Sequence, residues 1–152
     1  MTLWVRVPLP VQNFRAIQLF IINRRFVMEY IRFDGVRIYY NFKLLFKGFL
    51  AITLFGNIYC KLSKNRLYDY LNTYNGSVFL NHEKIHMEQS KQFKLRWFSF
   101  YVVYLFYWLI NLFRYGFNMH AYYNIPFERE AYSNQENFEY IKNNLVDWKK
   151  YR

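Results

Sequence analysis

Cysteine, proline and glycine are scarce in this chain of 152 residues, at one, three and five copies. The lone Cys60 excludes an intrachain disulfide framework and any cysteine-based zinc or iron–sulfur site. It is expected as a small buried hydrophobe rather than a nucleophile, because no histidine lies near it in sequence. Acid is scarce too, with ten Asp+Glu against 21 Lys+Arg, for a formal charge of +11. Only 20 % of the residues are charged, whereas 54 % are hydrophobic and 24 % aromatic. So much apolar surface offsets the entropy of ordering the chain, which excludes disorder, collagen-like repeats and a polar linker. One domain over residues 1–152 is expected, since the length suits one core rather than two.

Residues 1–12, with Pro8 and Pro10, read as an extended lead-in, and the apolar stretch 14–30 as a segment preceding a sheet, with room for a helix. Val36, Ile38, Tyr40 and Phe42 alternate with Arg37, Tyr39 and Asn41, the period of a strand. Asp34 and Gly35 just before them favour a two-residue hairpin turn. Residues 50–59, bounded by Gly48, form a second β candidate, so a small antiparallel sheet is expected. Asn75 and Gly76 break the chain, and Ser77 is placed to cap the helix that follows. Residues 78–115 contain neither Pro nor Gly. A straight helix of that length would run about 57 Å, too long for a small domain, so a break around 91–97 or a membrane span is expected. Gly116 is the expected C-cap, Pro126 opens a further helix, and the tail 136–148 reads as helical.

The basic residues, Arg24 and Arg25 among them, are spread rather than gathered into a stripe, so they read as solvated charge and nucleic acid is not the expected partner. An anionic membrane surface suits the chain better. Residues 97–113 carry no charge and are bracketed by Arg96 and Arg114. The run sits at the lower length limit of a spanning helix, and its Tyr and Trp content suits an interfacial one. A buried core helix is the alternative. The first residues lack the order of a signal peptide, so the expected location is membrane-associated on the cytoplasmic side, with a soluble cytoplasmic protein as the alternative.

The chemistry concentrates at His82-Glu83-Lys84-Ile85-His86, an H-E-x-x-H pattern. Four helical residues advance about 400°, which sets the two imidazoles on one face about 6 Å apart in height. Both then reach one zinc ion, and Glu83 is placed as general base toward a metal-bound water. A third ligand is needed. His120 is the only other histidine, and the next acid-bearing helix offers Glu128 or Glu130, about 200° apart, so only one faces the site. Glu128 shares its face with Ala131 and Tyr132, and a small residue there permits close helix packing, which favours Glu128 with Glu130 as the alternate. Gln89 shares the face of His82 and His86 as a candidate partner for a ligand imidazole. His120, Tyr122 and Tyr123 precede the Glu-bearing helix and are candidates to stabilise an oxyanion. Residues 50–55 are the candidate edge strand for an extended substrate.

H-E-x-x-H followed some forty residues later by Glu128-Arg129-Glu130-Ala131 resembles the gluzincin clan of zinc peptidases, most of all the membrane-embedded CAAX-prenyl-protease type. The stretches around 81–89 and 121–132 also resemble a family of short bacterial metallopeptidases. The likeness covers residues 50–140. It implies His82 and His86 as ligands, Glu83 as catalytic base and Glu128 as third ligand. Those peptidases carry Asp after the alanine where this chain has Tyr132, so a carboxylate supporting a ligand histidine is missing there. Thermolysin-like members place Ala directly after the ligand, which points to Glu130 instead.

The expected architecture is α+β: a small antiparallel sheet packed on a zincin-like H-E-x-x-H helix, an apolar membrane-associated helix and a C-terminal Glu-bearing helix. The expected function is a zinc-dependent metallopeptidase acting on a peptide or protein substrate. A non-catalytic zinc-binding structural or interaction protein is the alternative.

Overall fold

The computed structural model describes residues 28–45 and 50–152. The lead-in at 1–12, the segment 14–27, Arg24, Arg25 and Gly48 lie outside the described residues. The described chain is α+β, and it divides into two compact units, Met1–Lys64 and Asn65–Arg152.

In the first unit, β1 (Tyr30–Phe33) and β2 (Val36–Tyr39) form an antiparallel hairpin. Asp34 at φ 46° and Gly35 at φ 79° make its turn, the two left-handed residues that match strand twist in a two-residue loop. A second hairpin pairs β3 (Ala51–Leu54) with β4 (Asn57–Cys60) through Phe55 at φ 51° and Gly56 at φ 79°. The β candidate at 50–59 is therefore two strands about a turn. The strand order is β1-β2-β4-β3, and β2 pairs β4 in parallel, Ile38 beside Ile58. The sheet is thus mixed, which corrects the expectation of a wholly antiparallel one. Alternation and turn residues specify each hairpin, but the order in which hairpins join is a non-local choice that no period reports. Ile31, Val36, Ile38, Ile58, Cys60 and Ala51 are buried. Tyr30, Tyr39 and Tyr59 are aligned across three strands with ring centroids 5.4 and 4.8 Å apart. Such cross-strand pairs contribute about 0.2–1 kcal/mol each. Among the described residues β3 is an edge strand.

The second unit holds α1 (Lys64–Leu71, beginning at the boundary), α2 (Tyr74–Lys91), α3 (Trp97–Tyr115), α4 (Met119–Tyr123), α5 (Pro126–Asn134) and a 3-10 turn at Trp148–Tyr151. Thr73, not Ser77, caps α2: its hydroxyl accepts from the Gly76 amide at 3.1 Å. Asn75 and Gly76 lie inside the first turn rather than breaking the chain. Gly76 is needed there because a Cβ would fall 2.0 Å from the Tyr70 carbonyl oxygen and 2.7 Å from the Leu71 Cα, so the backbone of α1 occupies that space. α2 ends at Lys91 and α3 begins at Trp97, with Arg96 at φ 45° turning the chain between them. Gly116 at φ 74° closes α3, donating its amide to Leu112, and Pro126 starts α5. The tail 136–148 is turns rather than the expected helix. The Asn137 side chain accepts from the Glu139 amide and Asn144 adopts φ 54°, local asparagine geometries that compete with helix. Those turns let Tyr140 join Ile85 and Ala131 in one buried cluster, and bring Trp148 against Phe127 at 4.6 Å.

Candidate metal centre

α2 presents His82, Glu83, His86 and Gln89, all buried, and α5 brings the buried Glu128 against them. Ala131, one turn beyond Glu128, is fully buried beside Ile85 of α2, so the small side chain permits the close approach that delivers the carboxylate. His82 Nε2 and His86 Nε2 are 3.1 Å apart, His82 Nε2 is 3.4 Å from Glu128 Oε2, and His86 Nε2 is 3.4 Å from Glu128 Oε1. Metal–ligand bonds of about 2.0–2.1 Å in a tetrahedron place ligand atoms about 3.3–3.4 Å apart. The two imidazole nitrogens stand a few tenths of an ångström inside that edge length, and each lies 3.4 Å from one of the two Glu128 carboxylate oxygens, so all three side chains can reach a common ion. Glu128 Oε2 is buried and receives no hydrogen bond, a costly state for a carboxylate oxygen unless a cation completes it. This buried group can hold a metal ion.

The supporting shell fixes which nitrogen of each ring faces the centre. Gln89 Nε2 donates to the Phe127 carbonyl at 3.0 Å and to Glu130 Oε2 at 2.7 Å, both acceptors only. Its Oε1 must then turn to His86 Nδ1, 2.8 Å away, which makes Nδ1 a donor and leaves Nε2, facing Glu128, as the nitrogen that takes a proton or a metal. Glu130, fully buried, also accepts from the Tyr140 hydroxyl at 2.8 Å and from the Asp147 amide, so it anchors Gln89 instead of joining the ligand group. His82 Nδ1 lies 3.2 Å from Gln135 Oε1. Asn81 Nδ2 fixes that turn, reaching the Gln135 carbonyl at 2.9 Å and the Asn137 carbonyl at 3.2 Å. Where a carboxylate was missing, neutral amides stand behind both imidazoles.

Without metal, the centre holds a proton. Burial pushes the His86 imidazole down, but the Glu128 carboxylate, the hydrogen bond to it and the Glu83 charge outweigh burial and hold it at about 9. Burial pushes Glu128 up, and the two imidazoles outweigh that and hold it well below the usual carboxylate range. Proton and metal therefore compete for the same nitrogen. Apparent metal affinity is expected to rise about tenfold per pH unit up to about 9 and to level off above it. At pH 7 each metal ion bound is expected to displace about one proton, read from the buffer dependence of the binding heat; binding insensitive to pH contradicts this. In the metal-free chain the same shift contributes stability in full below the unfolded value of 6.5, and that contribution is lost as pH rises through about 9.

Tyr132 sits edge-on to the His82 ring at 4.6 Å, and Tyr104 of α3 donates its hydroxyl to Glu128 Oε1 at 2.8 Å. Burial first, then the Glu128 charge, raises the hydroxyls of Tyr104, Tyr122 and Tyr132, so all three stay protonated donors at neutral pH. Tyr123 is exposed with its ring 5.2 Å from Tyr132, and His120 is exposed on α4, outside the ligand group. Gln135, Asn81 and Tyr104 carry no sequence signal: Gln135 lies just beyond α5, and Tyr104 is one of 16 tyrosines. Comparisons with protein-family models, with curated proteins and with solved structures give no match to the chain.

Proposed function

We propose that the protein is a zinc-dependent hydrolase of gluzincin type, cleaving peptide bonds in a peptide or protein substrate. The observation that carries this reading is the buried convergence of His82 Nε2, His86 Nε2 and the Glu128 carboxylate within 3.4 Å of one another, with buried Glu83 next to His82 on α2. Three protein ligands leave a fourth position to solvent or substrate, the pattern of catalytic rather than structural zinc. A zinc ion held there lowers the pKa of a bound water to about 7 and polarises a substrate carbonyl.

The protein's own groups account for the rest. The Glu83 charge acts on His86, Tyr104 and Tyr132, so its carboxylate lies within electrostatic reach of the proposed centre. Glu83 takes the proton of the attacking water and passes it to the leaving nitrogen. Gln89 and Gln135 keep the imidazoles in the ligating tautomer, and Tyr132, a protonated hydroxyl whose ring packs on His82, is the proposed donor to the developing oxyanion. The zincin-like fold is part of the same proposal. The zinc-loaded chain is expected to cleave an internally quenched peptide library, to lose that activity to a chelator and to regain it with one equivalent of zinc. A loaded chain that cleaves no peptide overturns the hydrolase reading.

A further inference from the structure

α3 is amphipathic in an unusual sense: its polar-bonded side faces the protein and its apolar side faces out. At about 100° per residue, Phe98, Val102, Leu105, Phe106, Leu109 and Phe113 all fall within an arc of about 100°. All six are exposed, Phe98 at 66 %, Phe106 at 58 % and Phe113 at 91 %. The stripe runs about 22 Å along the helix. Phe117, just past Gly116, is 94 % exposed. The buried pair Phe100 and Asn111 lies about 200–220° round the helix from Phe98. That inner side is occupied: the Asn111 amide donates to the Ala121 carbonyl at 3.0 Å, and Tyr104 donates to Glu128. Half-buried Trp97, Tyr101 and Trp108 flank the stripe along one edge.

We propose that α3 docks this protein flat on an anionic lipid surface, with the stripe in the headgroup–acyl boundary. The occupant follows from charge. Residues 89–127 contain no Asp or Glu, while exposed Lys94, Arg96 and Arg114 stand at the ends of the stripe. A second copy laid face to face on α3 offers only the same cations, Lys94, Arg96 and Arg114, near the ends of the stripe, whichever way it runs. No acid in the segment relieves either arrangement. An anionic bilayer accepts the apolar stripe and the flanking cations together, and rings of Trp and Tyr suit the headgroup depth. No described helix is long and apolar enough to cross a membrane, so α3 lies along the surface rather than through it. The metal centre, on the inner side of the same helix, then sits about 10–12 Å from the lipid. The docking itself does not depend on the hydrolase reading.

The test is co-sedimentation of the full chain with vesicles. Binding is expected to 1:1 phosphatidylcholine–phosphatidylglycerol, not to pure phosphatidylcholine, and is expected to weaken as salt rises. The double variant Phe106→Asp/Leu109→Asp is expected to weaken binding by about tenfold or more. Its helical circular dichroism and metal stoichiometry should be unchanged, since both positions are exposed. A second pair at the far end, Phe113→Ser/Phe117→Ser, reports on the same surface with different side chains. Anionic-vesicle binding that is absent, or that both pairs leave intact, overturns the proposal. So does equal binding to pure phosphatidylcholine, or a solution dimer that the same substitutions dissolve in a chain that ignores vesicles. Because the readout is lipid binding, its failure is separable from a failure of zinc binding or hydrolysis.

Discussion

Glu83→Gln is expected to lower kcat/KM for peptide hydrolysis by about 10³-fold or more while the chain still binds one zinc ion. Glutamine keeps the shape of the side chain in a position that is almost fully enclosed, so the packing of α2 against its neighbours is retained. What it loses is the ability to take a proton. Metal content is governed by His82, His86 and Glu128, none of which is altered. Isothermal titration with zinc and a progress curve on the same preparation separate the two effects. Cleavage at the native rate in Glu83→Gln removes Glu83 from the role of base, and loss of zinc in that variant makes it a ligand instead.

The two glutamates of α5 are expected to respond in opposite ways. Glu128→Gln leaves two neutral imidazoles and an amide, and zinc affinity is expected to fall by about 10³-fold or more. The metal-free chain loses the ion pair with His86 but is expected to stay folded, because the glutamine oxygen still accepts the Tyr104 hydroxyl and a neutral His86 needs no counter-charge. Glu130→Leu strands three donors at once: the buried Gln89 amide, the buried Tyr140 hydroxyl and the half-buried Asp147 backbone N–H. Each stranded donor costs about 1–3 kcal/mol, so a loss of about 3–5 kcal/mol or more is expected. Denaturant melts of both metal-free variants check this. A destabilised Glu128→Gln with an unaffected Glu130→Leu would reverse the two assignments.

The roles of the two acids were only partly legible in the sequence. Glu128 and Glu130 are two residues apart at the start of one helix, and helical geometry states that one faces α2 without stating which. Ala131 tipped the choice toward Glu128 by its size, and it is the residue that packs on Ile85. Local signals fared well where one residue dictates the backbone: Asp34 and Gly35 at a hairpin turn, Gly116 at a helix end, Pro126 at a helix start. They fared poorly where the decisive contact is distant. The parallel pairing of β2 with β4 has no local trace, and the second hairpin hides its turn behind Phe55, an unusual residue at positive φ. α1 buries only Leu67 and Leu71 among polar neighbours, too faint a stripe to stand out. The tail lost its helix to asparagine turns that serve Tyr140 and Trp148. Gln135 is the clearest omission: its importance lies in one acceptor atom behind His82, delivered by a turn that Asn81 pins from α2.

X-ray absorption at the zinc edge, on the chain loaded with one equivalent of zinc at pH 8, reads whether His82, His86 and Glu128 share one ion. The account predicts a four-coordinate site with two imidazole nitrogens and oxygen donors at about 2.0–2.1 Å, and loss of one imidazole contribution in His82→Ala. A six-coordinate shell of oxygen alone, or a spectrum that His82→Ala and His86→Ala leave unchanged, would show that the ion binds elsewhere and contradict the account.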